Sequence, residues 1–397
     1  MASGCSGNEL PGWCIRDAGS GMLYRRGRLL GETPYILWAG TSPRCPAPKG
    51  IHHFPSEEGG TAAARRRWDQ AIANEVPGGA FGRCYQLTEV ASGRVYAAKV
   101  ILRAHLTAVG SRERVEREQE LHGRLHHPHI VCLRGHFSDH RHIYLLLEYC
   151  SRRSLADILW ARGRLTEPEV RYYLLQVISG LRYLHGQGVI HRDLKLSNFL
   201  VTKKMQVKIG DLGLARLKAP GGQRWGALCG TPSFLAPEVL DRKGHGVPSD
   251  VWALGCAMYM ALTGSPPFEA AQRQELYRHI RAARYPQPSQ LSAHAQALIA
   301  RLLAPEPAAR PSLQDVLDHG FFTQGFTPQR LPPRACHAVP IFLAQALRCR
   351  LRRWLCQGQQ EHQGALGSPR CLPPTKEQDL SHANIRFGKP LLVLGTV

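Results

Sequence analysis

Acidic residues are scarce in this 397-residue chain: 30 Asp plus Glu stand against 51 Lys plus Arg, a formal net charge of +21 at pH 7. That imbalance says nothing about fold. It favours acidic partners such as phosphates, nucleic acid, anionic lipid or acidic peptide segments, unless it is simply a solvated basic surface. Paired cysteines are also missing. The 12 cysteines are scattered singly, none in C-x-x-C spacing, and no histidine cluster sits near a cysteine pair, which argues against a zinc site. Long apolar runs are absent, since none approaches the ~18–20 residues that a membrane span needs. The N-terminus, Met-Ala-Ser-Gly-Cys-Ser-Gly, lacks the charged-then-apolar order of a secretory signal. No internal repeat is evident. These absences point to a reduced, soluble, intracellular protein, cytoplasmic or nuclear. What is present suffices for a core: 43% of residues are apolar and 20% charged, a globular balance.

The chain changes character several times. Residues 1–22 are Gly-rich without periodicity and read as disordered. Residues 33–78 carry six prolines and the run Arg65-Arg66-Arg67, and read as a loop with one short helix around 61–74. Strand patterns follow at 81–88, 94–101 and 142–149, with a charged helix over 111–125 between the last two. From 154 onward helical spacing dominates. Leu155, Ile158 and Leu159 share one face, as do Val170, Leu174, Leu175, Ile178, Leu181 and Leu184. A small β-rich lobe followed by a larger helical lobe, an α+β fold, is therefore expected. Residues 331–397 turn Arg-rich around Leu347–Leu355 and then polar.

The second half of the chain carries the chemistry. Residues 191–198 read His-Arg-Asp-Leu-Lys-Leu-Ser-Asn. A carboxylate at Asp193 can accept the proton of a substrate hydroxyl and aim its oxygen for in-line attack on a phosphoryl group. Lys195 can screen the transferred phosphate. Asn198, five residues beyond Asp193, has the spacing that brings an amide oxygen to a divalent cation. Asp211-Leu212-Gly213 follows the strand-like Val207-Lys208-Ile209, and a carboxylate at a strand end suits a cation bridging phosphates. Lys99 sits mid-strand in Ala97-Ala98-Lys99, where a lysine is out of place unless paired. Its expected partners are nucleotide phosphates and a helical glutamate. A lone residue of any of these kinds is more often a cap or a solvated charge; all of them in this order are not.

This set resembles the serine/threonine protein kinases. Three stretches narrow the resemblance to the polo-like family: 191–198, Leu-Cys-Gly-Thr-Pro-Ser-Phe-Leu-Ala-Pro-Glu-Val-Leu at 228–240, and Phe-Phe-Thr-Gln-Gly-Phe-Thr-Pro-Gln-Arg-Leu-Pro at 321–332. The resemblance implies a bilobal kinase fold over 23–324, an extension over 325–397, ATP and Mg2+ as cofactors, and protein substrates with acidic residues near the acceptor. Arg152 and Arg153 could supply the field for such substrates. Asp193 and Lys195 would be catalytic, and Asn198 and Asp211 would hold metal. Gly31, Gly79 and Gly82 would cover the phosphates. Cys84, Ala97, Glu148, Cys150 and Leu200 would surround the nucleotide, and Lys99 would pair with Glu118. Thr231 would bond the catalytic residues, Glu238 would pair with Arg310, and Asp250 would anchor the catalytic loop.

Three departures qualify what the resemblance implies. Residues 76–82, Val-Pro-Gly-Gly-Ala-Phe-Gly, place Pro77 where the glycine loop needs its first Gly, and proline has no N–H to offer a phosphate. Joining Gly31-Glu32 directly to Gly79-Ala80-Phe81-Gly82 restores a complete Gly-Glu-Gly-Ala-Phe-Gly loop, so 33–78 reads as a 46-residue insertion. Two origins stay open, a segment that the expressed message lacks or a regulatory insertion. Second, Ala227 occupies the position where the family has a phosphorylatable Thr. Third, the 67 residues 331–397 show no alternating strand pattern, so phosphopeptide docking through polo boxes is not expected. An active kinase, a pseudokinase scaffold and, less well supported, a nucleic-acid binder are the competing functions. No nucleic-acid module or membrane contact is expected.

Overall fold

A computed structural model describes residues 14–34, 80–107, 111–218 and 228–340. Six antiparallel strands build the small lobe: β1 (Cys14–Arg16), β2 (Leu23–Pro34), β3 (Ala80–Glu89), β4 (Val95–Leu102), β5 (Leu133–Ser138) and β6 (His142–Glu148). Their spatial order is β1-β2-β3-β4-β6-β5. Period-two alternation sorts the side chains. Tyr85, Leu87, Ala98, Val100, Tyr144 and Leu146 fall on one face and join Tyr24 and Phe137 in a closed core. The rings of Phe137 and Tyr144 stack with centroids 4.6 Å apart. Cys84, Lys99 and Leu145, mutually opposite in register, fall on the other face. There Leu145 and Ile101 pack on Val115 of helix α1 (Ser111–Gly123). A one-residue slip of β4 would drive Lys99 into the aromatic core, so the register is strongly fixed.

β2 and β3 pair from Tyr24↔Glu89 to Pro34↔Ala80. The stretches on either side of 35–79 are therefore the two arms of one antiparallel ribbon. The proposed insertion, apart from residues 33 and 34, lies outside the described residues, as do Pro77 and Gly79. The N-terminus departs from its sequence reading: Cys14–Arg16 is not disordered but pairs with Leu23–Arg25. Asp17 turns the chain between them by accepting the Gly19 N–H at 3.0 Å. A three-residue strand has no period to detect, and β5, Leu-Arg-Gly-His-Phe-Ser, has too few apolar residues to show one.

The large lobe contains α2 (Leu155–Arg162), α3 (Glu167–Gly186), α4 (Pro237–Leu240), α5 (Val247–Thr263), α6 (Arg273–Arg281), α7 (Ala293–Leu302), α8 (Leu313–Asp318) and α9 (Gly320–Thr323). Capping boxes at Ser154/Asp157 and Thr166/Glu169 start α2 and α3. Along α3 the buried stripe is Val170, Leu174, Val177, Ile178, Leu181 and Leu184. Leu175, assigned to that stripe from sequence, is 36% exposed, because it stands about 100° around the helix from Leu174. α5 buries 13 of its 17 residues and is the central element of the lobe. No helix among the described residues is long and apolar enough to cross a membrane.

Two short ribbons complete the large lobe. β7 (Val189–Ile190) pairs with β10 (Arg216–Leu217), and β8 (Phe199–Val201) with β9 (Val207–Ile209). Residues 325–340 pack onto the large lobe instead of leaving it at 324. Leu331, Ala335 and Cys336 are buried, and Arg162 donates to the Ala335 carbonyl at 2.9 Å. Residues 341–397 lie outside the described residues.

A buried ion pair fastens the base of the lobe. Arg310 meets both carboxylate oxygens of Glu238 at 2.7 Å and lies 5.0 Å from the centroid of the Trp252 ring. Removing one partner strands the other charge in the interior. Glu238→Ala should cost ~3–5 kcal/mol, read as a lower denaturant midpoint by circular dichroism; an unchanged midpoint would refute the pair's structural role.

Candidate active site

Asp250, at the start of α5, builds the catalytic loop from beneath. Its carboxylate accepts the backbone N–H groups of His191 at 3.0 Å and Arg192 at 2.9 Å, and contacts His185 Nε2 at 2.9 Å. Arg192 is held at φ 70°, a left-handed conformation that costs a non-glycine residue energy and persists only where neighbours enforce it. Burial pushes the Asp250 carboxyl up. Its hydrogen bond to His185, the charges of His185 and His191 and the loop N–H groups outweigh burial and hold it below the usual carboxylate range.

Above this anchor, Asp193 is 8% exposed and engaged through both oxygens. Thr231 donates to Oδ1 from its hydroxyl at 2.8 Å and its N–H at 3.0 Å. Lys195 Nζ lies 2.8 Å from Oδ2 and donates to the Thr231 hydroxyl at 3.0 Å. Gly230 precedes Thr231 at φ 111°, and a Cβ there would lie 2.8 Å from the Arg192 carbonyl oxygen; only glycine lets the two backbones approach so closely.

A second cluster joins the lobes. Lys99, 2% exposed, reaches Glu118 of α1 at 2.8 and 2.9 Å and Asp211 at 3.3 Å. The other acids of α1 face solvent: Glu116 pairs with Arg112 and Glu120 with Arg124, each one turn away. Asp211 sits at φ 53°. Burial raises its carboxyl pKa, but Lys99, Lys195 and His191 together outweigh that and keep it below the usual range. The donor set fits a hard divalent cation. Asp211 is held ionised, and Asn198 spends its amide nitrogen on the Asp193 carbonyl at 2.8 Å, which leaves its oxygen as the ligating group. Two protein ligands are few. Such a cation completes its shell from water and the phosphates it accompanies.

Comparison with known proteins fits this geometry. The model of the family described as "Protein kinase domain" matches residues 72–322. The Mus musculus protein named inactive serine/threonine-protein kinase PLK5 is 49% identical over 328 residues, covering 83% of this chain and 47% of that protein. Serine/threonine-protein kinase PLK2 of Mus musculus is 53% identical over 264 residues, 66% of this chain and 39% of the relative. Serine/threonine-protein kinase PLK1 of Xenopus laevis is 43% identical over 262 residues, 66% and 44% of the two chains. This chain belongs to the polo-like branch of the protein kinase family. It spans under half the length of these relatives. The family match begins at residue 72, yet the chain seats 23–34 against β3, so the first strands of its sheet come from outside the matched stretch.

The remaining residues expected around the nucleotide lie on or beside the sheet. Gly31 is opposite Cys84, and Cys84 opposite Lys99; Ala97 is opposite Gln86 and Leu147. A Cβ on Gly82 would stand 2.9 Å from the Val100 carbonyl, a close approach that keeps this stretch of the kinase glycine-specific. Burial pushes the Cys84 thiol up to about 12, so it stays protonated and unreactive near neutral pH. Glu148 ends β6, Cys150 accepts from the Arg153 N–H, and Leu200 of β8 lies opposite Lys208. Gly79 is outside the described residues.

Sequence reasoning gave no role to three residues that the site uses. His191 Nε2 meets the Gly210 carbonyl at 3.0 Å, coupling the catalytic loop to the residue before Asp211. Lys208 pairs with Glu148 at 3.0 Å; a lysine inside an apolar strand, the clue that exposed Lys99, was present here too. Cys229 takes the position beside Arg192, whose Nη2 lies 2.6 Å from its sulfur. Ala227 itself is outside the described residues. Burial, then the charges of Arg117, Arg192 and Arg114, lower the Arg216 guanidinium to about 10.

Because the Asp250 carboxyl is depressed on folding, its contribution to stability is present above the unfolded aspartate value of 3.8 and is lost as pH falls through the folded value. Asp250→Asn should therefore lower the urea midpoint at neutral pH. The gap should narrow once pH falls below the unfolded aspartate value of 3.8. An unchanged midpoint at neutral pH would contradict the assignment.

Proposed function

We propose that this chain transfers the γ-phosphoryl group of ATP, with Mg2+, to serine and threonine hydroxyls of protein substrates. The observation that carries the reading is that two linked networks are complete: Glu118–Lys99–Asp211 and Lys195–Asp193–Thr231. When bound, Mg·ATP supplies the phosphoryl group and the charge neutralisation of its β and γ oxygens. Lys99, Asp211 and Asn198 are the residues to hold it. Asp193 accepts the proton of the substrate hydroxyl, and its two hydrogen bonds from Thr231 fix the carboxylate that does so. Lys195 bridges Asp193 and Thr231 and offers its positive charge where the transferred group carries negative charge.

Thr231 beside the base supports a hydroxyl acceptor of the serine/threonine class. Arg152 and Arg153, just past the lobe crossing, together with the net charge of +21, support acidic residues near that acceptor. Cysteines that are all free thiols among the described residues support a reducing compartment, cytoplasm or nucleus.

A second reading, a kinase-fold scaffold without turnover, is favoured by one specific observation: the relative covering 83% of this chain is named inactive. Pro77 and Ala227 support the same reading. Phosphate transfer to an acidic protein such as casein separates the two. The parent should label it, and Asp193→Ala should lower the rate by roughly 10²–10⁴-fold. Equal labelling by both proteins would sink the enzymatic reading.

A further inference from the structure

Lys208 is a second strand lysine, and the chemistry above gives it no task. Its ammonium lies 3.0 Å from Glu148 Oε2, with the two side chains only 11% and 23% exposed. Glu148 ends the last small-lobe strand before the chain crosses to the large lobe, whereas Lys208 sits in β9 of the large lobe. The same carboxylate oxygen accepts the Cys132 N–H at 3.4 Å, and the Glu148 N–H donates to the Cys132 carbonyl at 2.9 Å.

The segment carrying Cys132 is in turn laid against β9. Val131 donates to the Ile209 carbonyl at 2.9 Å, Ile209 donates to His129 at 2.8 Å, and His129 Nδ1 meets the Val207 carbonyl at 2.9 Å. Residues 129–132, the end of β6 and β9 are thus laced together, and the Lys208–Glu148 pair closes the lacing on its third side. β9 runs through Gly210 into Asp211. A Cβ at Gly210 would stand 3.2 Å from Leu200 and 3.3 Å from Val131, so little slack separates the lacing from the metal carboxylate.

We propose that Lys208 is a positioning residue: through Glu148 it ties the lobe crossing to β9 and so sets the nucleotide-facing stretch Glu148–Cys150 relative to Asp211. A partly buried ion pair suits this task. It is shielded from solvent screening, yet one side chain can release it without emptying the core. The consequence for nucleotide affinity rests on the phosphotransfer reading; the tie itself does not.

The test uses the full chain with Lys208→Met and, as the conservative control, Lys208→Arg. Hydrogen exchange reads the tie directly. In Lys208→Met the Glu148 amide should exchange about tenfold faster, while the Ala98 amide, deep in the small-lobe sheet, stays protected and shows that the fold is intact. Lys208→Arg should behave as the parent. The second arm measures Mg·ADP affinity by calorimetry and, for phosphate transfer, KM for ATP against kcat. Lys208→Met should weaken ADP binding and raise KM about fivefold with kcat within about twofold, the pattern of lost binding without lost chemistry.

Unchanged exchange at Glu148 in Lys208→Met overturns the tie. Faster exchange with unchanged ADP affinity overturns its positioning role. A parent that binds ADP without transferring phosphate defeats the enzymatic reading and leaves the positioning claim to be decided by the affinity arm. A parent that binds no ADP overturns the positioning role along with the enzymatic reading, and exchange alone then decides the tie.

Discussion

A buried ammonium organises this molecule. Lys99 stands in the middle of β4 at 2% exposure, and taking such a charge from water costs several kcal/mol unless oppositely charged groups meet it at close range. Its neighbours answer that demand from two other stretches of the chain. α1 has to lie across the sheet so that Glu118 arrives, and Asp211, two residues past β9, has to reach the same point from the large lobe. The aromatic face of the sheet has to be the opposite one. The small lobe's register, the seating of α1 and the approach of the large lobe are therefore one problem with one solution.

The catalytic loop follows the same logic with the sign reversed. Asp250 is a buried carboxylate, 1% exposed, and it is satisfied by backbone N–H groups and by His185. Those bonds force Arg192 into a strained conformation, and the strain presents Asp193 to Thr231 and Lys195. Each charge in the cleft is thus part of the structural support of another. His191 on the Gly210 carbonyl and Lys208 on Glu148 carry the coupling between the loop, β9 and the lobe crossing.

Much of this was legible beforehand because kinase chemistry is written in short local motifs. Asp193, Asn198 and Asp211 stand in fixed spacing, and two apolar periods, two and 3.6, separate sheet from helix. What was hidden had no local signal. β1 is only three residues long, and β5 is mostly polar, so neither shows an apolar period. Leu175 fits an apolar pattern but lies outside the buried stripe. The pairing of β2 with β3 is long-range, yet the two halves of one glycine motif, Gly31-Glu32 and Gly79–Gly82, announced it although the family match starts at 72.

The sequence by itself determined the family and most of the residues that carry charge into the interior. Those properties depend on residue type and spacing, which a chain states directly. Only the tertiary structure decided that Lys208 meets Glu148 at the lobe crossing and that His191 meets the Gly210 carbonyl. These are choices among chemically equivalent side chains, and they are made by packing geometry, because a carboxylate's partner inside a protein is the cation that the fold brings within about 3 Å. The scarcity of acid that first marks this chain takes a sharper meaning there. Among its 30 acidic residues, Glu118, Glu238 and Asp250 are buried against specific partners, and Asp193 and Asp211 meet Lys195 and Lys99.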